Sequence, residues 1–400
     1  MTRSTVPPAE VPTTDVDLYS DDQIREPYET YRALRDAGPV VYLEKYDTWA
    51  VSRYEHVREV LKDTDTFSSA GGVSVNEPFN RQLVGTTLAS DPPEHDKLRG
   101  IVAGSLTPRA LGDRRAAIEE QAEQLVAGLV ARGEFDAVTE LARVLPLSVV
   151  PDFIGLPQDG RDRLLDWASA VFDAIGPMNE RAQRGLPALA QLGSYIGDLV
   201  EHGTVTPGSL GDGVLSAARE GRIPTGQCPA LMLDYLGPAL DTTISAIGNA
   251  IYLFSRYTEQ WDKVREDPKL IPNAFNEVVR LETPIRGFCR HTTKETSIGG
   301  TTIGAGQKVL VLYAAANRDE RKWQDPETFD VTRRVGDHVG FGFGVHGCAG
   351  QGLARIEAHA LLKSLAARVA SFELLGSERA LNNVIRAFAS IRVRVTPIGA

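Results

Sequence analysis

The stretch FGFGVHGCAG, from Phe341 to Gly350, surrounds a single cysteine, Cys348, with four glycines. Glycine allows turns with positive φ and lets a large group approach the main chain closely. The residues that follow repeat apolar positions with a period near 3.6, which predicts a helix beginning just after the loop. At a helix N-terminus, backbone N–H groups and the helix dipole favour a thiolate. A thiolate with open space above it suits a soft metal centre such as haem iron.

A free cysteine is more often a small buried hydrophobe, so that alternative applies to Cys348 as well. The complete spacing Phe-Gly-x-Gly-x-His-x-Cys-x-Gly, however, resembles the haem-thiolate loop of the cytochrome P450 superfamily. The resemblance implies that Cys348 is the axial iron ligand of heme b and that Phe341, His346 and Gly350 contact the cofactor. It also implies a mainly α fold with a small β region, arranged as a single haem-binding domain.

Charge and cysteine usage narrow the possible function classes. The net charge of −10 does not suit a nucleic-acid-binding surface. Cys228, Cys289 and Cys348 are odd in number and widely spaced, which is neither a disulfide framework nor a zinc pattern and predicts a reducing cytoplasm. The sequence has no signal peptide and no run of about 20 apolar residues, so we expect no membrane span. The chain resembles the soluble bacterial P450s.

Periodicity and turn residues predict the element order. Residues 1–20 are expected to be a flexible tail, and residues 21–400 a single catalytic domain. Residues 65–90, rich in Gly, Ser and Asn, are predicted to be a long binding loop. Residues 392–397 alternate as an edge strand does. Other predicted strands lie within 39–51 and 290–311, and predicted helices span 27–37, 54–61, 93–106, 111–132, 138–154, 159–175, 179–202, 207–219, 228–257 and 271–282.

The segment DPPEHDKLRG places His95 and Arg99 four residues apart, so they share one face of a helix. Two such groups can hold a pair of carboxylates, although an exposed polar helix face is the alternative. The P450 resemblance implies that both bind the haem propionates, together with Arg290 and His338. Propionates buried without cationic partners would be strongly unfavourable.

The segment LDYLGPALDTT contains Asp241 and Thr242, an acid and a hydroxyl within the longest predicted helix. A polar patch at a helix–helix contact is the alternative interpretation. Pro238 has no N–H, so the carbonyl of Asp234 loses its helical partner and the helix is expected to break there. The resemblance implies that Asp241 and Thr242 deliver protons during oxygen activation. The chain departs from the family pattern, because Pro238 and Ala239 replace the usual Ala-Gly.

Glu277 and Arg280 are three residues apart and can form an ion pair on one helix face. Most such pairs are solvated and contribute less than about 1 kcal/mol. The resemblance instead implies a buried pair that also binds Arg333, in the stretch FDVTR, and supports the haem-side core.

The resemblance implies monooxygenation with O2, with electrons supplied by a ferredoxin and a ferredoxin reductase. Two alternatives stay open: a non-catalytic haem-binding sensor or carrier, and a peroxide-driven peroxygenase. The intact pair Asp241 and Thr242 argues against both. The ferredoxin is expected to dock around Cys348 on a patch of basic residues: Lys97, Arg109, Arg114, Arg115 and Arg355.

The stretches VFDAIGPMNE (171–180) and PLSVVPDFIGL (146–156) resemble bacterial P450s that hydroxylate or O-demethylate para-substituted benzoic acids. Those relatives hold the substrate carboxylate with an arginine and serines. The arginine position reads Gly71 here, and the serine positions read Asp234 and Gly237. The carboxylate clamp is therefore largely missing.

Arg286 is the candidate to replace the clamp, or to pair with Asp234. A neutral phenol or aryl ether, such as a methoxyphenol, fits the missing clamp equally well. Four residues are candidates for the apolar walls of the substrate pocket, with an ordinary core position as the alternative for each: Phe172, Ile175, Leu240 and Phe288.

Overall fold

Helices dominate residues 11–399, the part of the chain that the computed structural model describes. The α-helices are α1 (Asp21–Arg25), α2 (Tyr28–Ala37), α3 (Tyr54–Lys62), α4 (Glu77–Gln82), α5 (Glu94–Ala103), α6 (Pro108–Arg132), α7 (Val144–Ile154), α8 (Leu164–Ile175), α9 (Glu180–His202), α10 (Leu210–Arg219), α11 (Cys228–Leu236), α12 (Pro238–Arg256), α13 (Thr258–Glu266), α14 (Ile271–Leu281), α15 (Tyr313–Ala316) and α16 (Gln351–Ala366). Within the described residues, no helix is both long and apolar enough to cross a membrane.

The strands form a minor part of the fold, as the sequence predicts. They are β1 (Thr13–Thr14), β2 (Val40–Leu43), β3 (Thr48–Val51), β4 (Phe67–Ser68), β5 (Glu134–Asp136), β6 (Phe288–Thr292), β7 (Thr296–Ile298), β8 (Thr301–Ile303), β9 (Lys308–Val311), β10 (Val369–Arg379) and β11 (Phe388–Pro397). The largest sheet has the order β1-β2-β3-β9-β6-β4, the next has the order β10-β11-β5, and β7 pairs with β8.

Local signals explain where the long helix α6 begins and ends. The Thr107 hydroxyl accepts a hydrogen bond from the N–H of Ala110, and Pro108 occupies the first helical position. Both features are typical of helix N-termini. Gly133 ends the helix with a φ of 79°, a conformation that glycine adopts without strain. The predicted helix over 111–132 is therefore confirmed, with a start three residues earlier.

Helix α12 runs through the largest hydrophobic cluster, and most of its side chains from Thr243 to Phe254 are buried. The predicted single helix over 228–257 is divided at Gly237 into α11 and α12, as expected from Pro238. Because Pro238 has no N–H, the carbonyl of Asp234 has no helical donor four residues ahead. The break lies where the helix passes the functional cavity.

Two sequence predictions are wrong. Residues 1–10 of the expected flexible tail lie outside the described residues, but residues 11–20 are packed: β1 pairs in parallel with β2, and Leu18 and Tyr19 are buried.

The segment 392–397 belongs to β11, which has β10 on one side and β5 on the other, so it is not an edge strand. Alternation marks a strand but does not show how many neighbours it has.

The predicted loop 65–90 contains β4 and α4 and is anchored to α8. The Ser74 hydroxyl donates to the carbonyl of Ile175 at 2.7 Å, and the Asn76 side chain donates to the carbonyl of Ala174 at 3.2 Å. Asn76 also caps α4 through the N–H of Phe79. These buried polar contacts hold the segment over one side of the cavity, because unpaired polar groups there would be unfavourable.

Candidate active site

A cavity of about 270 Å³ lies between α5, α8, α11, α12, α16 and the segment after α4. Most of the residues singled out from the sequence line it: Arg99, Phe172, Ile175, Asp234, Thr242, Phe288, Arg290, Phe341, His346, Cys348 and Gly350. Single-sequence patterns thus located residues from six separate parts of the chain that meet around one space.

The cysteine loop closes on itself immediately before α16. The N–H of Cys348 donates to the carbonyl of Phe341 at 2.8 Å, and the predicted helix begins at Gln351. Burial raises the pKa of the Cys348 thiol, whereas hydrogen bonds from the N–H groups of Gly350 and Gln351 and the nearby Arg99 lower it. Backbone donors at a helix start are the feature that favours a thiolate ligand.

Gly344 allows this loop to sit directly against α3. Its φ is 71°, and a Cβ atom built on it would lie 2.6 Å from the carbonyl oxygen of Leu61. A side chain would therefore be strained in conformation and would clash with backbone. The glycine spacing thus has a direct steric cause at this position.

Two arginines and one histidine line the cavity, and a second histidine contacts the first. Arg99 donates to the carbonyl of Gly347 at 2.6 Å, and Arg290 donates to the carbonyl of Cys289 at 2.7 Å. The rings of His95 and His346 are 4.5 Å apart. Among residues 11–399, the buried Nε2 atoms of these histidines have no hydrogen-bond partner. The two guanidinium groups fit an anionic ligand with several oxygens, as the haem propionates are.

His95 and His338, two of the predicted propionate ligands, lie behind the cavity wall. His95 contacts Asp96 through Nδ1 at 2.8 Å. The Nδ1 of His338 accepts the N–H of Gly340 at 3.1 Å, and burial lowers the pKa of His338 to about 3. His338 is therefore a neutral donor or acceptor at neutral pH. Propionate binding by these two residues stays a prediction.

The side chains of Thr242 and Asp241 lie on different sides of α12. Thr242 lines the cavity, and its hydroxyl donates to the carbonyl of Pro238 at 2.9 Å. Asp241 does not line the cavity, because adjacent helix positions differ by about 100°. Burial raises the pKa of Asp241 to about 7, Arg143 opposes this shift, and Asp173 adds to it. The acid thus lies on the outer side of the helix that carries the hydroxyl.

The predictions that Leu240 and Arg286 belong to the substrate pocket are wrong. Leu240 is packed in the hydrophobic core and does not line the cavity. Arg286 is buried and donates to the carbonyls of Leu18 at 3.0 Å and Asn383 at 2.6 Å. It neither replaces the carboxylate clamp nor pairs with Asp234. Its guanidinium joins the N-terminal segment to the C-terminal hairpin, a long-range contact that no local pattern announces.

Glu277, Arg280 and Arg333 come together as the sequence predicts. Arg280 donates to both carboxylate oxygens of Glu277, at 2.6 and 2.8 Å, and both side chains are fully buried. Arg333 donates to the same carboxylate at 3.2 Å. This buried cluster joins α14 to the segment that leads into the cysteine loop.

The basic residues predicted around Cys348 are only partly free for docking. Lys97, Arg109 and Arg115 are exposed. The guanidinium of Arg355 lies 4.4 Å from the ring centre of Phe341 and also donates to Gln351 at 2.7 Å. Arg355 is therefore a packing residue of α16.

Sequence reasoning missed Thr87 and Glu357. The N–H of Thr87 donates to Asp234 at 2.5 Å across 147 residues of sequence, and no local signal could indicate this pair. Glu357 lines the cavity from α16, and burial raises its pKa to about 8. Its position four residues after Leu353, which also lines the cavity, is a helical-face signal that could have indicated it.

Comparisons with known proteins identify relatives along nearly the whole chain. Residues 217–375 match the family model described as Cytochrome P450. The chain is 38% identical to cytochrome P450 CYP199A2 of Rhodopseudomonas palustris, covering 97% of this chain and 96% of that protein. It is 32% identical to 6-deoxyerythronolide B hydroxylase of Saccharopolyspora erythraea, covering 90% and 93%.

Among solved structures, CYP109E1 from Bacillus megaterium in complex with testosterone matches with a TM-score of 0.85 and 25% identity, covering 94% of this chain and 99% of that one. Identity of this extent with a relative along nearly the full length, together with the shared fold, shows common descent. The chain therefore belongs to the cytochrome P450 family of heme b monooxygenases.

Proposed function

We propose that this monooxygenase binds heme b through Cys348 and inserts one oxygen atom from O2 into a small aromatic substrate, by hydroxylation or O-demethylation. We further propose that a ferredoxin and its reductase supply the electrons. The observation that supports this most directly is one cavity with the Cys348 thiol at a helix start, the Thr242 hydroxyl at its wall and aromatic side chains around the remaining space.

Haem bound by a thiolate supplies the activation of dioxygen, and the protein supplies binding, orientation and protons. Gly350 and Gln351 stabilise the thiolate through their N–H groups. Arg99 and Arg290 line the cavity and would neutralise the propionates. These residues would hold the cofactor, and the apolar walls would remain for the substrate.

Thr242 and Asp241 are proposed to deliver protons from opposite sides of one helix. The Thr242 hydroxyl donates its proton to the carbonyl of Pro238. The lone pairs of the hydroxyl oxygen therefore point away from that carbonyl and can accept a further hydrogen bond. Asp241 has a pKa of about 7, so both of its protonation states are populated near neutral pH. A group with such a pKa can both take up and release a proton. Arg143 stands beside it and is suited to control proton entry.

The walls of the cavity support an aromatic substrate. Phe172, Ile175 and Phe288 line the space, and such apolar and aromatic walls suit a substituted ring. Resemblance to the benzoate-oxidising P450s favours a para-substituted benzoate, whereas the missing clamp favours a methoxyphenol. Arg286 contributes to neither, since it does not line the cavity and its terminal nitrogens donate to backbone carbonyls.

A basic patch defined by Lys97, Arg109 and Arg115 is the proposed ferredoxin site. These exposed residues lie on α5 and α6, and α6 packs against α16, which begins directly after the cysteine loop. The overall charge is −10, so a local basic patch would steer an acidic partner to this face.

Charge reversal tests this site. Arg109→Glu combined with Arg115→Glu should slow reduction by ferredoxin, and added salt should reduce the difference from wild type because screening weakens steering. Arg184→Glu, an exposed arginine on α9, is the matched control and should leave the rate unchanged. Equal rates for the double variant and the control would contradict docking on this patch.

Ligation and turnover test the function itself. The purified protein, reduced and exposed to carbon monoxide, should show the absorption maximum characteristic of thiolate ligation, and Cys348→Ser should abolish it. Product should form from methoxybenzoates or methoxyphenols with ferredoxin, reductase and NADH. Product with hydrogen peroxide alone would instead indicate a peroxygenase, and no product from either system would indicate a haem-binding sensor or carrier.

A further inference from the structure

We infer that Asp234 and Thr87 together form a recognition site for a hydroxyl group, so that the substrate is a phenol and not a benzoate. The inference rests on the proposed function, because it specifies which aromatic compounds enter the same cavity. It assigns the discrimination to two side chains that lie on different elements and meet only in the folded protein.

The Asp234 carboxylate is placed at the cavity by backbone donors. It accepts the N–H of Thr87 at 2.5 Å and the N–H of Leu88 at 3.4 Å, one on each oxygen. An ionised carboxylate has about four lone-pair sites, so about two remain for a ligand. Asp234, Thr87 and Leu88 all line the cavity, which puts these free sites beside the space where a substrate would lie.

The Thr87 hydroxyl, which lies beside the Asp234 carboxylate and lowers its pKa, is a second indication of a ligand. Its side chain is buried at 7% exposure and lines the same cavity. Within residues 11–399, its Oγ1 has no hydrogen-bond partner of normal geometry. Buried hydroxyls are generally satisfied, and those that are not commonly bind water or a ligand.

The charge of this site excludes a carboxylate. Burial raises the pKa of Asp234 to about 6, and the N–H of Thr87 opposes the shift, so the group is mostly ionised at neutral pH. Among the described residues, the cations that line the cavity are Arg99 and Arg290. Both are assigned to the haem propionates. A benzoate would therefore place its negative charge against Asp234, and Arg99, the cation that lowers the pKa of Asp234, is already shared with the propionates.

A neutral hydroxyl matches both partners. A phenol O–H can donate to the Asp234 carboxylate while its oxygen accepts from the Thr87 hydroxyl. A carboxylate can only accept, and a methyl group can do neither. Recognition of a substrate hydroxyl by buried polar groups discriminates strongly, because analogues that lack it leave those groups unpaired.

The spacing of the two groups fits a substrate with one ring. Asp234 lies on α11 and Thr242 lies eight residues later on α12, and both line the cavity. An unbroken helix would rise by about 12 Å over eight residues, so the span is on the order of one para-substituted ring with its hydrogen bond.

Equilibrium titration of the oxidised holoenzyme tests the assignment without turnover. The ligands are 4-methoxyphenol, 4-methoxybenzoate and 4-methoxytoluene, which share one shape, and the readout is the haem absorption shift. We expect 4-methoxyphenol to bind at least about tenfold more tightly than each of the others. Benzoate binding as tightly as the phenol would overturn the inference.

Two variants and one control assign the effect to residues. Asp234→Asn keeps an oxygen for the N–H of Thr87 but removes the charge, and should reduce the preference for phenol over benzoate to less than about threefold. Thr87→Val keeps the backbone N–H and removes the hydroxyl, and should weaken phenol binding while leaving 4-methoxytoluene binding unchanged. Asp173→Asn removes a carboxyl of similar pKa that does not line the cavity, and should leave the preference unchanged.

The outcomes separate this inference from the proposed function. An unchanged preference in both Asp234→Asn and Thr87→Val would refute the recognition site, provided that both variants keep the thiolate spectrum with carbon monoxide. Turnover of benzoates but not of phenols would refute it while supporting monooxygenation. Selective phenol binding without product would support the site and refute the proposed turnover.

Discussion

Replacing Arg280 with lysine should remove a large part of the protein's stability while preserving the positive charge. Arg280 is fully buried on α14 and makes five hydrogen bonds. Two go to the carboxylate of Glu277, and the others go to the carbonyls of Asn317, Pro326 and Thr328. The planar guanidinium spans these acceptors, which come from three parts of the chain.

The expected magnitude follows from counting donors. A lysine ammonium has three N–H donors at a single point, so at least two of the five hydrogen bonds of Arg280 are lost. Each hydrogen bond to a charged group contributes about 1.5–3 kcal/mol, which gives a loss of about 3–6 kcal/mol. This is a large fraction of the about 5–15 kcal/mol by which a typical protein is stable.

Guanidinium-induced unfolding, followed by far-ultraviolet circular dichroism and by the haem absorption band, measures this loss. The matched control is Arg394→Lys, an exposed arginine on β11 that contacts Glu134 and Glu373. It should change the free energy of unfolding by no more than about 0.5 kcal/mol, since exposed ion pairs contribute little. A loss below about 1 kcal/mol for Arg280→Lys, or one equal to that of the control, would refute the reasoning.

Gly344→Ala should destabilise the cysteine loop by about 1–3 kcal/mol, because the glycine has φ of 71° and a Cβ would lie 2.6 Å from the Leu61 carbonyl; unaltered unfolding and haem retention would contradict this. Glu357→Gln should raise stability at pH 8.5 by at least about 1 kcal/mol and have little effect near pH 4. The pKa of Glu357 in the folded protein is raised to about 8, so the wild type loses stability as the pH rises from the ordinary pKa of a glutamate through 8. Unfolding curves measured at several pH values should show this loss in the wild type and not in the variant. Asp241→Asn should remove an inflection near pH 7 from the turnover profile, because Asp241 carries its proton below that pH and loses it above; an inflection kept by the variant would assign it to another group.

Much of the site was predictable because its signals are local. The glycine spacing around Cys348 reflects turns and close contacts within ten residues. The spacing of Glu277 and Arg280 reflects one turn of helix, and Pro238 breaks its helix by lacking a donor. Each of these statements involves groups separated by only a few residues, so a single sequence contains the information.

The errors concern contacts between distant parts of the chain. Arg286 was assigned to the substrate pocket, but its donors bind carbonyls on the N-terminal segment and the C-terminal hairpin. Residues 11–20 were expected to be loose, but β1 adds to a sheet edge and Leu18 is buried. The composition of a segment indicates how much apolar surface it can bury within itself. It does not indicate which surface or hydrogen-bond partners a distant segment provides.

The sequence by itself determined the cysteine loop, the order of the helices and the residue types that surround a thiolate-bound haem, since turn geometry and helical periodicity act over a few residues. Only the tertiary structure decided that Asp241 faces away from the cavity and that Asp234 meets Thr87 inside it. Such meetings depend on how helices pack against one another, because side chains far apart in sequence become neighbours only when apolar surfaces are buried together.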